Sequence, residues 1–408
     1  MNYDLAFNKL KEFGQEHVLA YFDQLSETEK AELLQQIDET DFSVVRLVNG
    51  GASEDEKGKI SPLGAMQISE IEERKQELKT KGLEVIRAGK AAAVLLAGGM
   101  GTRLGSDAPK GTYNIGETKP VYIFERLISN LMDVVNEAGN YIHLFVMTSD
   151  KNNDATISFF KEHNYFGYDV NFVHFFKQEM APAADYNGKI YMESKYKMAT
   201  SPNGNGGWFG SMAKYGMLDI VKENGIEYLN VFAVDNVLQR ILSPEFVGAV
   251  FEGGYAVGSK VVRKAAPDEK VGVMCLEDGR PSIVEYYELT EEMMTEKDAN
   301  GDLAYNFGVI LNYLFRVKDL IEIMEKSMPL HIVEKKIPYM DVEGNNISPE
   351  TPNGYKFETL VLDMIKLMDN CIPFEVERNK EFAPVKNKTG VDSVESARAL
   401  LKENGIEL

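Results

Sequence analysis

The feature that most constrains the fold is an alternation of short apolar runs with segments of helical periodicity between residues 91 and 234. The first run, 91–97, contains no polar residue, and further apolar-rich runs lie at 141–148, 170–175 and 228–234. Strands that are apolar on both faces belong to parallel sheets covered by helices on both sides. The pattern therefore predicts an α/β fold with a doubly wound, mostly parallel sheet.

Helical periodicity also marks the two ends of the chain. Residues 1–60 are predicted to form a small helical segment, in which Ser26 and Glu29 have the spacing of a capping box. A charged, glycine-rich stretch at 49–58 is predicted to be a linker or mobile loop. The main domain is predicted at 61–388, followed by a short C-terminal helix within 389–408.

The charge balance excludes several classes of function. The 408 residues include 44 Lys and Arg against 64 Asp and Glu, a net charge of −20, and no long basic run, which argues against a nucleic-acid-binding protein. No segment approaches the roughly 18 consecutive apolar residues of a membrane span, and the N-terminus lacks the pattern of a secretory signal. We therefore expect a cytoplasmic protein without nucleic-acid or membrane partners. If it binds an anion, its few cations must be concentrated locally.

The cysteines and histidines do not predict a structural metal site. Two cysteines, Cys275 and Cys371, are too few for a zinc site and lie in apolar, strand-like sequence, so we expect both to be buried and inert. The five histidines are scattered without metal-ligand spacing. Sheets of the predicted kind bind ligands at the carboxyl ends of their strands, and the functional residues are expected there.

The run at 91–97 ends in a glycine-rich loop with the properties of a phosphate-binding loop. It reads Ala-Gly-Gly-Met-Gly-Thr-Arg-Leu-Gly at 97–105, and Pro-Lys-Gly follows at 109–111. It matches neither a Walker A loop nor the dinucleotide pattern Gly-x-Gly-x-x-Gly, because Leu104 replaces the third glycine. Glycines let backbone amides approach phosphate oxygens, and Arg103 and Lys110 add positive charge. The alternative is a tight turn with two surface cations.

This loop resembles the signature of nucleotidyltransferases that make nucleotide sugars, and its spacing to 109–111 resembles the UTP-dependent pyrophosphorylases. Segments similar to this family follow in order along about residues 10–390. They lie at 14–17, 178–180, 202–207, 234–236, 260–262, 271–273, 284–286, 331–339, 352–354 and 384–387. The sequence Lys-Lys-Ile-Pro-Tyr at 335–339 favours the UDP-N-acetylglucosamine branch over the UDP-glucose branch. The resemblance implies a Rossmann-like nucleotidyltransferase domain.

The resemblance implies a reaction of UTP with N-acetylglucosamine 1-phosphate that gives UDP-N-acetylglucosamine and pyrophosphate. The attacking phosphate needs no general base because its second pKa is about 6, so catalysis reduces to alignment and charge neutralisation. The implied catalytic residues are Arg103, Lys110 and Lys386, with Lys119 as a weaker phosphate contact. The implied nucleotide-binding residues are Leu96, Gly98, Gly99, Gly101, Gln178 and Gly204. Gln178 would read the uracil edge with its amide.

A carboxylate at the end of a predicted strand is the candidate metal ligand. Asp235 follows the run at 228–234 and is expected to bind Mg²⁺, which prefers oxygen ligands. The alternative is an Asx turn that caps the next segment. The oligomeric state is left open by the sequence, a monomer included.

The acceptor sugar is the least constrained part of the prediction. The implied sugar-binding residues are Asn205, Gly272, Glu285, Asn306 and Asn312. Asn306 and Asn312 are included because Val309 stands where the family usually has an asparagine. In a second departure from the family pattern, Leu360 and Leu362 stand where the family has aromatic residues. The alternatives are a UDP-glucose or broad UDP-sugar pyrophosphorylase and a non-catalytic nucleotide-sugar sensor.

Overall fold

The computed structural model describes residues 1–50, 58–324, 326 and 328–408. The predicted linker at 49–58 lies outside the described residues except at its ends. The α-helices are α1 (Tyr3–Glu12), α2 (Glu27–Glu39), α3 (Arg46–Gly50), α4 (Ile68–Glu73), α5 (Lys75–Arg87), α6 (Ile123–Ala138), α7 (Asn153–Glu162), α8 (Trp208–Lys214), α9 (Met217–Glu223), α10 (Pro244–Glu252), α11 (Glu291–Thr295), α12 (Val317–Ile323), α13 (Val361–Leu367), α14 (Arg378–Glu381) and α15 (Val394–Glu403).

The β-strands are β1 (Ile60–Pro62), β2 (Ala91–Leu96), β3 (Leu144–Thr148), β4 (Val173–Lys177), β5 (Met180–Pro182), β6 (Ala184–Asp185), β7 (Met192–Ser194), β8 (Lys197–Met198), β9 (Thr200–Pro202), β10 (Tyr228–Ala233), β11 (Val257–Arg263), β12 (Val273–Glu277), β13 (Arg280–Val284), β14 (Phe307–Arg316), β15 (His331–Lys335), β16 (Tyr339–Met340), β17 (Asn346–Ile347), β18 (Gly354–Glu358) and β19 (Cys371–Glu375). No helix in these ranges is both long enough and apolar enough to cross a membrane.

The chain divides into two compact units. The smaller unit combines Met1–Lys57, Glu179–Gly207 and Met328–Val361, and the larger unit combines Gly58–Gln178, Trp208–Ser327 and Leu362–Leu408. Both units are therefore assembled from separate stretches of sequence. The domain boundaries near residues 60 and 388 stay a prediction.

The larger unit is built around a ten-stranded mixed sheet. Strands β10, β2, β3 and β4 are parallel neighbours in that order, and every residue of β2 and β3 is buried. These are the strands that the apolar runs predict, because a strand covered on both faces has no solvent side to occupy with polar residues. The α/β class with a parallel sheet at its centre is confirmed.

The other half of this sheet is organised around β14, which runs antiparallel to β10. Strand β14 also pairs antiparallel with β11 and β12, while β11 and β19 are parallel. The register of β11 and β14 shifts between Ser259 and Val261, and Leu311 on β14 has a φ of 52°. This β-bulge interrupts the β11–β14 ladder near Leu311, while Asn312 stays paired with Phe232 of β10.

Helices α5 and α10 of the larger unit touch through their backbones. A Cβ at Gly82 would lie 1.8 Å from the carbonyl oxygen of Pro244, and one at Gly248 would lie 1.9 Å from that of Leu78. Glycine is therefore required at both crossing points. Cys275 and Cys371 are both buried and free, as expected.

The smaller unit has its own apolar core, which α1 and α2 share with residues of the 179–207 stretch and of β18. The capping box of Ser26 and Glu29 is present at the start of α2. Gln15 donates to the carbonyl oxygen of Gly188 at 2.8 Å, which ties the N-terminal segment to residues far along the chain. The predicted C-terminal helix is α15, in the larger unit.

Candidate active site

The glycine loop begins where β2 ends, and hydrogen bonds fix its shape. The amide of Gly101 donates to the carbonyl oxygen of Ala108 at 2.9 Å. Asn152, which is fully buried, donates from Nδ2 to the carbonyl oxygens of Ala97 at 2.9 Å and Gly99 at 3.3 Å. The loop is thus preformed, and Asn152, which sequence reasoning missed, is its main side-chain support. Its only signal in the sequence is its position just after β3.

The first two glycines of the loop offer unused donors. The amides of Gly98 and Gly99 donate to no atom of the described chain, whereas that of Gly101 is taken up inside the loop. A Cβ at Gly98 would lie 2.5 Å from Oε1 of Gln178, so that side chain packs directly on the loop. Leu96, the last residue of β2, is buried. The structure therefore brings the predicted phosphate-binding and base-reading residues together.

Lys110 lies at the centre of a charge cluster in the larger unit. Its Nζ is 3.6 Å from Oδ2 of Asp235, which follows β10, and the side chains of the two residues are 16% and 23% exposed. Burial lowers the pKa of Lys110, the Asp235 carboxylate opposes that shift, and the positive charges of Arg103 and Lys386 add to it. Three residues predicted from separate parts of the sequence therefore act on Lys110.

Lys386 reaches this cluster because its segment is hydrogen-bonded to the end of β10. The amide of Val385 donates to the carbonyl oxygen of Asp235 at 2.8 Å. Lys386 Nζ lies 3.0 Å from Oδ2 of Asp392, and the Lys386 amide donates to the Asp392 carbonyl oxygen at 2.7 Å. Asp392 is a second residue that the sequence analysis missed, because nothing in its local pattern distinguishes it from a surface carboxylate.

A further cation beside the loop was also missed. The Nζ of Lys388 lies 2.7 Å from the place where a Cβ on Gly105 would be, and Gly105 has a φ of 69°. Lys388 is exposed and forms no ion pair with any carboxylate that the structure describes. Its signal in the sequence is its position two residues after Lys386. Lys119, the weaker phosphate candidate, is instead paired with Glu407 at 3.6 Å.

Asp235 is the residue that could hold a metal ion at this loop. Among the described residues, no group of three or more His, Cys, Asp and Glu side chains could bind a metal. Mg²⁺ usually keeps several waters and binds through one or two carboxylates plus substrate phosphates. A single carboxylate 3.6 Å from Lys110 therefore fits a cation that is held jointly with a nucleotide triphosphate, and not one caged by protein alone.

Two of the predicted sugar-binding residues lie side by side. A Cβ on Gly272 would be 3.5 Å from Oε1 of Glu285, and the Gly272 carbonyl oxygen accepts from the Val309 amide at 2.9 Å. Gly272 precedes β12 and Glu285 follows β13, so one hairpin presents both. Val309, the position that departs from the family pattern, therefore belongs to the same small surface.

Asn312, predicted as a sugar contact, is buried in the structure, and its contact with a sugar stays a prediction. Its side chain is fully buried, where Oδ1 accepts from Asn230 at 2.8 Å and Nδ2 donates to Oε1 of Gln239 at 3.1 Å. Asn312 lies on β14 opposite Phe232 of β10, and its side chain belongs to a polar network of the core. Asn306 is 8% exposed, and its Oδ1 accepts from the Lys264 amide at 3.2 Å.

The remaining candidates, Gly204 and Asn205, belong to the smaller unit and have structural roles there. Gly204 has a φ of 87°, and a Cβ on it would lie 2.2 Å from the carbonyl oxygen of Thr359. Asn205 accepts the Val361 amide through Oδ1 at 2.9 Å. These contacts explain a glycine and an asparagine at these positions without a ligand.

The family described as UTP--glucose-1-phosphate uridylyltransferase matches residues 42–408. The chain belongs to this family. A mouse member, UDP-N-acetylhexosamine pyrophosphorylase-like protein 1, is 35% identical over 94% of this chain and 80% of its own length. A Dictyostelium discoideum member, a probable UDP-N-acetylglucosamine pyrophosphorylase, is also 35% identical, over 98% of this chain and 87% of its own.

Solved structures of the family agree with the fold. The uridine diphosphate N-acetylglucosamine pyrophosphorylase from Trypanosoma brucei, crystallised with an inhibitor, is similar with a TM-score of 0.81 and 28% identity, over 98% of this chain and 84% of that one. The family that the glycine loop predicts, and the uridylyltransferase class of enzyme that goes with it, are confirmed.

Proposed function

We propose that this enzyme transfers a uridylyl group from UTP to N-acetylglucosamine 1-phosphate, forming UDP-N-acetylglucosamine and pyrophosphate. The relatives named above, at about a third identity over nearly the whole chain, support this substrate pair. The observation that carries the mechanism is the charge cluster at the glycine loop, in which Arg103, Asp235 and Lys386 all act on Lys110.

The triphosphate lies on the loop in this proposal. The unused amides of Gly98 and Gly99 donate to phosphate oxygens, and Gln178, packed on Gly98, pairs with the uracil edge through one donor and one acceptor. Lys110 and Arg103 neutralise the charge that grows on the leaving β- and γ-phosphates. The negative charge of the substrate favours the ammonium form of Lys110 and so opposes the effect of burial on its pKa.

The reaction is an in-line displacement at the α-phosphorus. An oxygen of the sugar phosphate forms a bond to that phosphorus while the bond to the oxygen bridging to the β-phosphate breaks, and pyrophosphate leaves with the electron pair. No proton is transferred, because the attacking group is already ionised at neutral pH. Lys386 bridges the two reacting phosphates and holds them in line.

Asp235 would hold Mg²⁺ together with the phosphates. When bound there, Mg²⁺ supplies positive charge to the phosphate oxygens. The carboxylate also keeps the ammonium of Lys110 at the loop, 3.6 Å away. Asp235 therefore has a role in placing Lys110 as well as in binding the cation.

A second candidate function is a UDP-glucose pyrophosphorylase. The observation in its favour is Val309, whose amide donates to Gly272 beside Glu285 and whose side chain offers no hydrogen bond to a sugar. An acceptor without an N-acetyl group would lose nothing at such a position. The names of the relatives described above favour the first candidate.

The experiment is a comparison of acceptor sugars. Pyrophosphate release would be measured with UTP and Mg²⁺ on the 1-phosphates of N-acetylglucosamine, N-acetylgalactosamine and glucose, with a chelator as the metal-free control. We expect kcat/KM to be about tenfold or more higher with N-acetylglucosamine 1-phosphate than with glucose 1-phosphate, the discrimination that one well-placed contact provides. A preference for glucose would overturn the proposal. UTP binding without turnover on any sugar would indicate a sensor.

A further inference from the structure

A buried ion pair joins β11 to α14 in the larger unit. Lys260, in the middle of β11, has no exposed side-chain surface, and its Nζ lies 2.6 Å from Oε2 of Glu381, whose side chain is 11% exposed. The ammonium also donates to the carbonyl oxygen of Arg240 at 2.8 Å. Two buried charges cost desolvation free energy that their attraction seldom exceeds. Stability alone is therefore a poor reason for this pair.

The pair joins two segments that are distant in sequence. Oε2 of Glu381 accepts the Arg240 amide at 3.2 Å, so Lys260 and Glu381 together hold both polar groups of the Arg240 backbone. Between the same segments, Asn236 donates from Nδ2 to the Glu381 carbonyl oxygen at 2.8 Å and accepts the Ala383 amide at 2.9 Å. The turn that follows β10 is thereby fastened to the end of α14 and the residues after it.

These two segments carry candidate residues of the active site. Asp235 opens the first segment, and Lys386 lies at the far end of the second. The bond from the Val385 amide to the Asp235 carbonyl oxygen, 2.8 Å long, is the last contact before the cluster. The separation of the Asp235 carboxylate and the Lys386 ammonium therefore depends on how the two segments are held together.

We propose that the Lys260–Glu381 pair is a positioning device that sets the separation between Asp235 and Lys386. The inference rests on the proposed function, in which these two residues hold the metal ion and bridge the reacting phosphates. Lys260 and Glu381 touch no substrate. They act through the backbone of Arg240 and through Asn236, and a displaced segment would misalign phosphates that must react in line.

A matched control is present in the same unit. Arg263 Nε lies 2.7 Å from Oε1 of Glu375, whose side chain is 4% exposed, but neither side chain forms a hydrogen bond with residues 235–240 or 381–386. The test compares Glu381→Gln with Glu375→Gln. We expect a lower Tm in both variants. In Glu381→Gln alone we expect at least a tenfold lower kcat and a several-fold higher Mg²⁺ concentration for half-maximal rate. Equal kinetics in the two variants would overturn the proposal.

A second variant separates positioning from stability. Replacing both partners with apolar residues, Lys260→Met together with Glu381→Leu, removes the buried charges at once, a change that often leaves stability intact. We expect this variant to fold and to keep the kinetic defect, because the Arg240 backbone has lost both partners. If the double variant folds and has wild-type kinetics, the proposal is contradicted. This test can be made even if Glu381→Gln alone does not fold.

Hydrogen exchange gives a readout that is independent of turnover. The amides of Ala383 and Val385, which bond to the Asp235 segment, should exchange at least tenfold faster in the double variant and at the wild-type rate in Glu375→Gln. Unchanged protection of both amides would overturn the positioning role. If the wild-type protein turned over none of the sugar phosphates, the proposed function would be contradicted. The exchange experiment would still show whether the Lys260–Glu381 pair holds the two segments together.

Discussion

The phosphate side and the sugar side of the larger unit are built differently. On the phosphate side, the glycine loop after β2 and Asp235 after β10 lie at the ends of neighbouring parallel strands, and Lys110 and Lys386 each have a carboxylate partner. On the sugar side, Gly272 and Glu285 flank an antiparallel hairpin, and Asn312 is diverted into the core. The proposed recognition of phosphate thus depends on a regular parallel part of the sheet, and the proposed recognition of the sugar depends on an antiparallel hairpin.

The largest expected effect is on the phosphate side. Lys110→Ala should lower kcat/KM by about 10²- to 10³-fold, because a preorganised charge that stabilises a transition state contributes that much, and should leave the Tm close to that of the wild type. Pyrophosphate release and thermal unfolding would check this. Lys119→Ala is the matched control, since Lys119 pairs with Glu407. Activity within tenfold of wild type in Lys110→Ala would contradict the assigned role.

The sugar side should respond in KM. Glu285→Gln replaces a charged acceptor beside Gly272 and should raise KM for the sugar 1-phosphate about tenfold, since hydrogen bonds to charged groups contribute about 1.5–3 kcal/mol. The KM for UTP should stay within twofold of wild type. Steady-state kinetics with each substrate varied in turn would separate the two. Equal changes in both KM values would contradict the proposal that Glu285 contacts only the sugar 1-phosphate.

The alkaline limb of the pH profile should belong to the phosphate side. The pKa of Lys110 is lowered because burial disfavours its ammonium form. As the pH rises, Lys110 therefore loses its proton before an exposed lysine would, and kcat/KM should fall. Lys110→Arg keeps its charge throughout and should move this limb to higher pH, although at a lower plateau. If the alkaline limb lay at the same pH in the wild type and in Lys110→Arg, the titrating group would be a residue other than Lys110.

A smaller effect is expected at Lys388, next to Gly105. Because its side chain is exposed, its attraction for the phosphates is screened by salt, and contributions of this kind are about 0–1 kcal/mol. Lys388→Ala should raise KM for UTP about two- to fivefold at low salt and less at high salt, with KM for the sugar 1-phosphate unchanged. A salt-independent change would indicate a structural role.

The smallest kinetic effect is expected for a residue that the sequence places on the sugar side. Asn312→Ala should leave KM for the sugar 1-phosphate within twofold, because its side chain is buried. It should lower the stability by about 1–3 kcal/mol, since Asn230 and Gln239 lose their partners. Denaturant unfolding and kinetics on the same preparation would measure both. A large rise in KM would restore Asn312 to the sugar site.

The sequence was sufficient to predict those features of the fold that depend on neighbouring residues alone. The apolar run at 91–97 and the glycines after it predict a strand and a phosphate loop, and burial of β2 confirms the strand. The position of Asp235 just after a buried strand was predictable from the apolar run at 228–234. These inferences need no knowledge of distant partners.

What could not be predicted depends on contacts between remote segments. Asn312 is bonded to Asn230 and Gln239, which are more than seventy residues away in sequence, so its burial could not be foreseen. Asp392 and Asn152 look like ordinary loop residues until the chain folds them against Lys386 and the carbonyl oxygens of the glycine loop. The family resemblance predicts Lys386 as a phosphate contact, and the structure shows that Asp392 pairs with it.

Strand β14 has a consequence for the order in which the protein folds. It joins β10, β11 and β12, yet it begins more than seventy residues after β10 ends. Contacts between residues so far apart in sequence form slowly, because closing a long loop costs conformational entropy before the contacts form. Strands β2, β3 and β4, which are closer together in sequence, and the glycine loop between β2 and β3 can therefore assemble early during synthesis. The acceptor-sugar surface, which relies on Val309, must wait until β14 has been made and inserted.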